Sequence, residues 1–138
     1  MEAVKLPLMV LYETGESWFV KENEKPIAIF IASDEIAVYV KDVEKTDYIG
    51  ARTFCDDLDV ANLFWCIPTE KQLQKLLDVF DDFNKTAELV GAEPIKKARY
   101  WSRRRIYNGV RLGVNFGLCK EVAISECEYA YARPFLRL

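Results

Sequence analysis

The spacing of apolar residues changes period twice along this chain, and no other feature limits its fold so tightly. Up to about residue 46 the apolar residues come in short runs rich in Val, Ile, Phe and Tyr, bounded by turn residues, which is how strands read. These runs are residues 8–12, 17–21, 27–31 and 36–41, with Glu13-Thr14-Gly15-Glu16 and Ser33-Asp34-Glu35 as turns between them. From Thr46 the period lengthens, and Ala51, Phe54, Cys55 and Leu58 fall on one face of a helix over about residues 47–59. A second helix is predicted from Thr69, where Thr69-Glu70-Lys71-Gln72 has the spacing of a capping box and Leu73, Leu76, Leu77 and Phe80 continue the stripe. A short helical turn is expected over 84–90, stopped by Gly91 and Pro94. Strands then return at 100–102, 110–115, 122–125 and 129–133, with Asn108-Gly109 as a hairpin turn and Gly117 as a further break.

Strands, two central helices, then strands again describe an α+β domain whose helices pack on short antiparallel β-sheets. At 138 residues, 51% of them apolar, the chain suits one domain over 1–138. Residues 1–25 read as an N-terminal β-hairpin, and no repeat or linker interrupts residues 26–138.

Histidine is absent, which removes the commonest general base near neutral pH, the usual triads and most zinc and copper ligand sets. Asp56, Asp57, Asp59, Asp78, Asp81 and Asp82 read as solvated helix faces rather than paired catalytic carboxylates. The four cysteines, at 55, 66, 119 and 127, lack the Cys-x-x-Cys spacing of zinc or redox sites, so free thiols are expected. Pairing of Cys55 with Cys66, or Cys119 with Cys127, stays open as the oxidised alternative. No catalytic residue, metal or cofactor is therefore expected. No apolar run nears the roughly 20 residues of a membrane span, and residues 1–10 lack a signal-peptide core. A soluble chain made in the cytoplasm is the expectation, with a virion or cell surface left open as its destination.

Five fragments in order carry a resemblance. They are residues 51–58 with Cys55, Trp65-Cys66-Ile67-Pro68-Thr69-Glu70-Lys71-Gln72-Leu73, Tyr100-Trp101-Ser102, Val114-Asn115-Phe116-Gly117 and Tyr131-Ala132-Arg133-Pro134-Phe135. From about residue 26 to 138 the chain resembles a bacterial and phage domain family of unknown function, typified by the C-terminal domain of the Legionella collagen-like protein. Cys66 replaces a usual arginine, and Arg103 a serine that commonly follows Trp-Ser. The resemblance implies a C-type-lectin-like fold, related to formylglycine-generating enzymes and to diversified phage receptor-binding proteins. In such relatives a rigid scaffold displays variable loops from the C-terminal half. Trp65, Pro68, Thr69, Trp101, Asn115, Phe116, Arg133 and Pro134 are then scaffold, with Arg133 as a buried guanidinium pairing with an acid or with strand-end carbonyls. The formylglycine-generating relatives hold copper with a close cysteine pair. Cys119 and Cys127, with seven residues between them, depart from that pattern.

One segment carries an unusual charge. Lys96, Lys97, Arg99, Arg103, Arg104, Arg105 and Arg111 place seven positive groups in residues 96–111 with no acid among them. Removing these from 19 bases leaves 12 against 22 acids, so a +7 segment sits in a −10 body. Arginine's planar fork fits sulfate, phosphate and carboxylate groups at two points, and Tyr100, Tyr107 and Asn108 could add stacking or hydrogen bonds. The expected function is non-catalytic recognition, with Arg103, Arg104, Arg105, Tyr107, Asn108 and Arg111 facing an anionic glycan or an acidic protein surface. The collagen-like relative's association with sulfated glycosaminoglycans points the same way. A solvated face answering the chain's own acids is the plainer reading of the same residues. The acidic body disfavours nucleic acid. The alternative is an assembly subunit of a phage particle or surface appendage, and self-association is compatible with either.

Overall fold

Two mixed-length sheets and three helices are built from residues 4–32 and 36–136, the part of the chain that the computed structural model describes. In chain order the elements are β1 (Lys5–Tyr12), β2 (Gly15–Phe19), β3 (Pro26–Ile31), β4 (Ile36–Tyr39), β5 (Val43–Thr46), α1 (Tyr48–Asp57), β6 (Trp65–Cys66), α2 (Glu70–Asp78), α3 (Phe80–Val90), β7 (Arg99–Tyr107), β8 (Val110–Asn115), β9 (Lys120–Ser125), β10 (Ala130–Ala132) and β11 (Phe135–Leu136). The first sheet has the order β2-β1-β3-β4-β11-β6 and the second β5-β10-β7-β8-β9. This is an α+β chain. The expected turn at 33–35 lies outside the described residues.

Several sequence expectations need correction. The strand expected at 8–12 begins at Lys5, because Pro7 sits where the β1–β2 register slips and does not end the strand. The bulge leaves the Leu8 amide to Thr86 Oγ1 of α3, at 3.2 Å. The N-terminal hairpin is β1 paired with β2, and β1 continues the sheet by pairing with β3 through Val10↔Ile29 and Leu11↔Ala28. The sheets are not wholly antiparallel, for β10 runs parallel to β7 at Tyr131↔Tyr100.

The central helices number three. Asp47 caps α1 by accepting the Gly50 amide at 2.8 Å. Its buried stripe is Tyr48, Ala51 and Cys55, whereas Phe54, expected inside, is half exposed. Thr69 and Gln72 form the capping box of α2. The stripe from Leu73 to Phe80 is broken at Val79, and Phe80 opens α3, with Asp81 and Asp82 favourably placed against the positive end of its dipole. The turn expected at 84–90 is thus the second half of an eleven-residue helix. Gly91 ends it in the left-handed region at φ 77°, which only glycine adopts without strain.

Alternation in β7 sends neighbouring aromatics into different cores. Tyr100 joins Leu73, Leu76 and Phe83 with Val10, Ile29, Val38 and Phe135, the cluster that α2 and α3 share with both sheets. Trp101 joins Tyr48, Ala51 and Cys55 of α1, on the second sheet's opposite face. Its indole donates to the Thr46 carbonyl at 3.1 Å. Trp65 closes a third cluster with Ile27, Phe30 and Ala37 on the outer face of the first sheet.

The chain crosses between sheets four times, and one ion pair pins two of the crossings, from β4 to β5 and from β10 to β11. Arg133, fully buried, donates to Asp42 Oδ1 at 2.8 Å, to the Tyr39 carbonyl at 2.6 Å and to the Glu93 carbonyl. Asp42 Oδ2 in turn accepts from Lys96 at 2.6 Å and from the Tyr100 hydroxyl at 2.8 Å. Every buried side-chain polar atom of this corner has a partner, as burial demands.

Candidate functional site

The basic segment is spread over three environments rather than gathered on one face. Lys96 belongs to the buried corner: burial acts to lower its pKa, but the hydrogen bond and charge of Asp42 outweigh that and raise it. Lys97 lines a hollow of about 430 Å³ at the α2–α3 junction with Asp78, Asp81, Asp82 and Phe116. Arg99 pairs with Glu128 at 3.0 Å and donates to the Tyr129 carbonyl. The Glu128 carboxyl lies below its ordinary range because it accepts the Ser125 amide and then the Arg99 guanidinium.

The remaining arginines form an exposed arm, the outer half of the β7–β8 hairpin. Two residues more on β7 than on β8 separate the pairs Trp101↔Gly113 and Arg105↔Arg111. The buried Ser102 hydroxyl organises this bulge, donating to the Leu112 carbonyl at 2.6 Å and accepting the Arg104 amide at 3.2 Å. The arm is held along its length. The Arg103 amide donates to the Pro68 carbonyl at 2.9 Å, and the Glu126 amide to the Gly109 carbonyl at 2.8 Å. At the tip the Asn108-Gly109 turn forms, with Gly109 at φ 75°.

The expected site residues play different parts on this arm. Arg111 is a brace: only 17% of its side chain is exposed, its guanidinium lies 4.0 Å above the Tyr48 ring, and it bonds Glu126 at 3.2 Å and the Arg103 carbonyl at 2.7 Å. Arg104 pairs with Glu70 in the first turn of α2, yet stays 59% exposed. Arg105 donates to Asn108 Oδ1 at 2.6 Å, so the asparagine orients the arginine. Tyr107 is 63% exposed. Among the described residues, Arg103 and Arg105 pair with no carboxylate. Tyr100, considered as a stacking platform, is fully buried and bonded to Asp42, which removes it from any surface.

The scaffold residues lie at joints. Pro68 supplies the carbonyl that anchors Arg103, and Thr69 caps the helix whose Glu70 holds Arg104. Asn115 Oδ1 accepts the Gly117 and Leu118 amides and shapes the β8–β9 turn. Phe116 meets Tyr100 edge-on and stacks on Phe80. Pro134 hands its carbonyl to the Tyr39 amide at 2.9 Å. Cys66 is buried, its thiol beside the Phe135 carbonyl.

The thiols are free. Cys119 and Cys127 stand at opposite ends of β9, and its six residues alone separate them by roughly 17 Å at about 3.3 Å per residue. Their pairing within one chain is therefore excluded, as is a copper pair made from them. Among the described residues no group of three or more His, Cys, Asp or Glu could hold a metal ion, and no helix is long and apolar enough to cross a membrane. No protein-family model matches the chain, and no curated protein matches it.

Proposed function

We propose that this chain is a C-type-lectin-like recognition domain, without catalytic chemistry, whose arm binds an anionic glycan or an acidic protein surface. The observation that carries the reading is the pair of exposed arginines, Arg103 and Arg105, that answer no acid among the described residues while Lys96, Arg99, Arg104 and Arg111 do. Two guanidiniums on a braced backbone lose little freedom on binding, which favours affinity for sulfate or carboxylate groups. Arg104 can share its exposed edge with the same ligand, and Tyr107 offers a ring beside it. The resemblance to the collagen-like family favours a sulfated glycan over other anions.

The test is a titration of a sulfated glycosaminoglycan oligosaccharide at low and high salt, read by fluorescence anisotropy. The double variant Arg103→Ala/Arg105→Ala is expected to bind at least tenfold more weakly at low salt and to show a flatter salt dependence, because screening acts on the charges it removes. Arg99→Ala, which breaks an internal pair away from the arm, serves as control and should bind as the parent does. Equal affinity of the double variant and the parent for both the oligosaccharide and an acidic peptide would retire the proposal.

A further inference from the structure

Four sheet edges are open among the described residues, and three of them carry devices that discourage pairing with another chain. The register slips between β2 and β1 and between β5 and β10, and β6 has two residues. The fourth edge, β9, differs. It pairs with β8 through six consecutive partners, Asn115↔Lys120 to Val110↔Ser125, with no slip and no proline.

Its free backbone groups can be assigned. The Glu126 amide turns inward to Gly109, while the Ser125 amide turns outward to Glu128 Oε1 and its carbonyl accepts the Glu128 amide. Groups along an antiparallel strand alternate in direction, so Glu121 and Ala123 present their N–H and C=O groups outward. Both residues are exposed. The Glu121 side chain is drawn aside to Gln74 of α2.

The geometry points to a second copy of this chain as the occupant of this edge, in two-fold antiparallel pairing of β9 with β9 about Val122. In that register Glu121 of each copy faces Ala123 of the other, and both pairs exchange two backbone hydrogen bonds, using the four groups that each copy leaves open. Val122 meets its own counterpart, and Lys120 lies diagonal to Glu126 of the other copy, opposite in charge. Ser125, already engaged by Glu128, marks where the ladder stops. The interface is isologous and closes at two copies, and it sets the two arginine arms one strand from the seam of a ten-stranded sheet, pointing in opposite directions along the strands. The pairing does not depend on what the arm binds.

The cysteines report on it. Cys119 and Cys127 flank β9 and are exposed. They cannot meet within one chain, but in this register Cys119 of one copy lies opposite Ser125 of the other, two residues from Cys127. Sedimentation velocity of the full chain under reducing conditions should show a species of twice the monomer mass growing with concentration. Ala123→Pro removes an outward amide and no bond to β8, so it should stay monomeric over the same range with an unchanged circular dichroism spectrum. Should proline disturb the fold, brief diamide oxidation of mixed light and isotope-labelled parent protein decides. Mixed-label Cys119–Cys127 peptides are expected. A monomer at every concentration, a dimer that survives in folded Ala123→Pro, or cross-links solely of like with like would overturn the pairing.

Discussion

Arg133 and Asp42 show what one buried pair does where a chain changes sheets. The guanidinium satisfies Asp42, the Tyr39 carbonyl at the end of β4 and the Glu93 carbonyl in the loop after α3 at once, and it lies over the Phe83 ring at 5.4 Å. Removing it would leave Asp42 Oδ1 and two carbonyl oxygens without the donor they share. Arg133→Met should therefore lower stability by about 3–5 kcal/mol, measured by urea denaturation. Arg133→Lys should recover little of that, since an ammonium cannot reach three acceptors in a fork. A loss below about 1 kcal/mol for the methionine variant, the scale of a surface pair, would show that the corner is held by other contacts. The sequence announced a buried arginine before a proline and its kinds of partner. It could not announce Asp42, 91 residues away in the chain, because only the fold brings two crossing points together.

Elements follow local signals closely where one residue supplies the geometry, and stray where tertiary contacts set it. Thr69, Gly91 and the Asn108-Gly109 turn each mark a boundary that the structure uses, since capping and left-handed backbone are local chemistry. The end of α2 at Val79 has neither glycine nor proline to mark it, and β11 is two residues inserted between β4 and β6. The turn at Ala61-Asn62 is equally unmarked in the sequence. Both residues have positive φ, 58° and 57°, and the Leu63 amide returns to Val60 at 3.1 Å, a two-residue loop made without glycine. Alanine is strained there, so Ala61→Gly should stabilise the protein by about 0.5–1 kcal/mol despite the added freedom of the unfolded chain. A thermal melt would show it as a rise in midpoint, and a fall would mean that the alanine methyl does more in packing than its backbone costs.

At the scale of the molecule, the N-terminal hairpin is part of the frame. Leu6, Val10 and Tyr12 belong to the main cluster, and Leu8 bonds to α3 through Thr86. A chain starting at Pro26 should therefore expose Ile29 and Val38 and lose its cooperative urea transition, while a sharp transition with unchanged midpoint would make the hairpin an appendage. The same scale governs the arm. A run of seven basic residues is legible from composition, but the frame divides it, sending Lys96 to a buried corner, Lys97 to an aspartate-lined hollow and Arg111 onto Tyr48. What the sequence determined by itself is whatever acts over a few residues: period, caps, turns, the lack of histidine and the local charge. Which arginines face solvent unpaired, which strand edge is left smooth and which thiols can meet were decided by tertiary structure alone, because each depends on groups that are distant in the chain and adjacent only once it has folded.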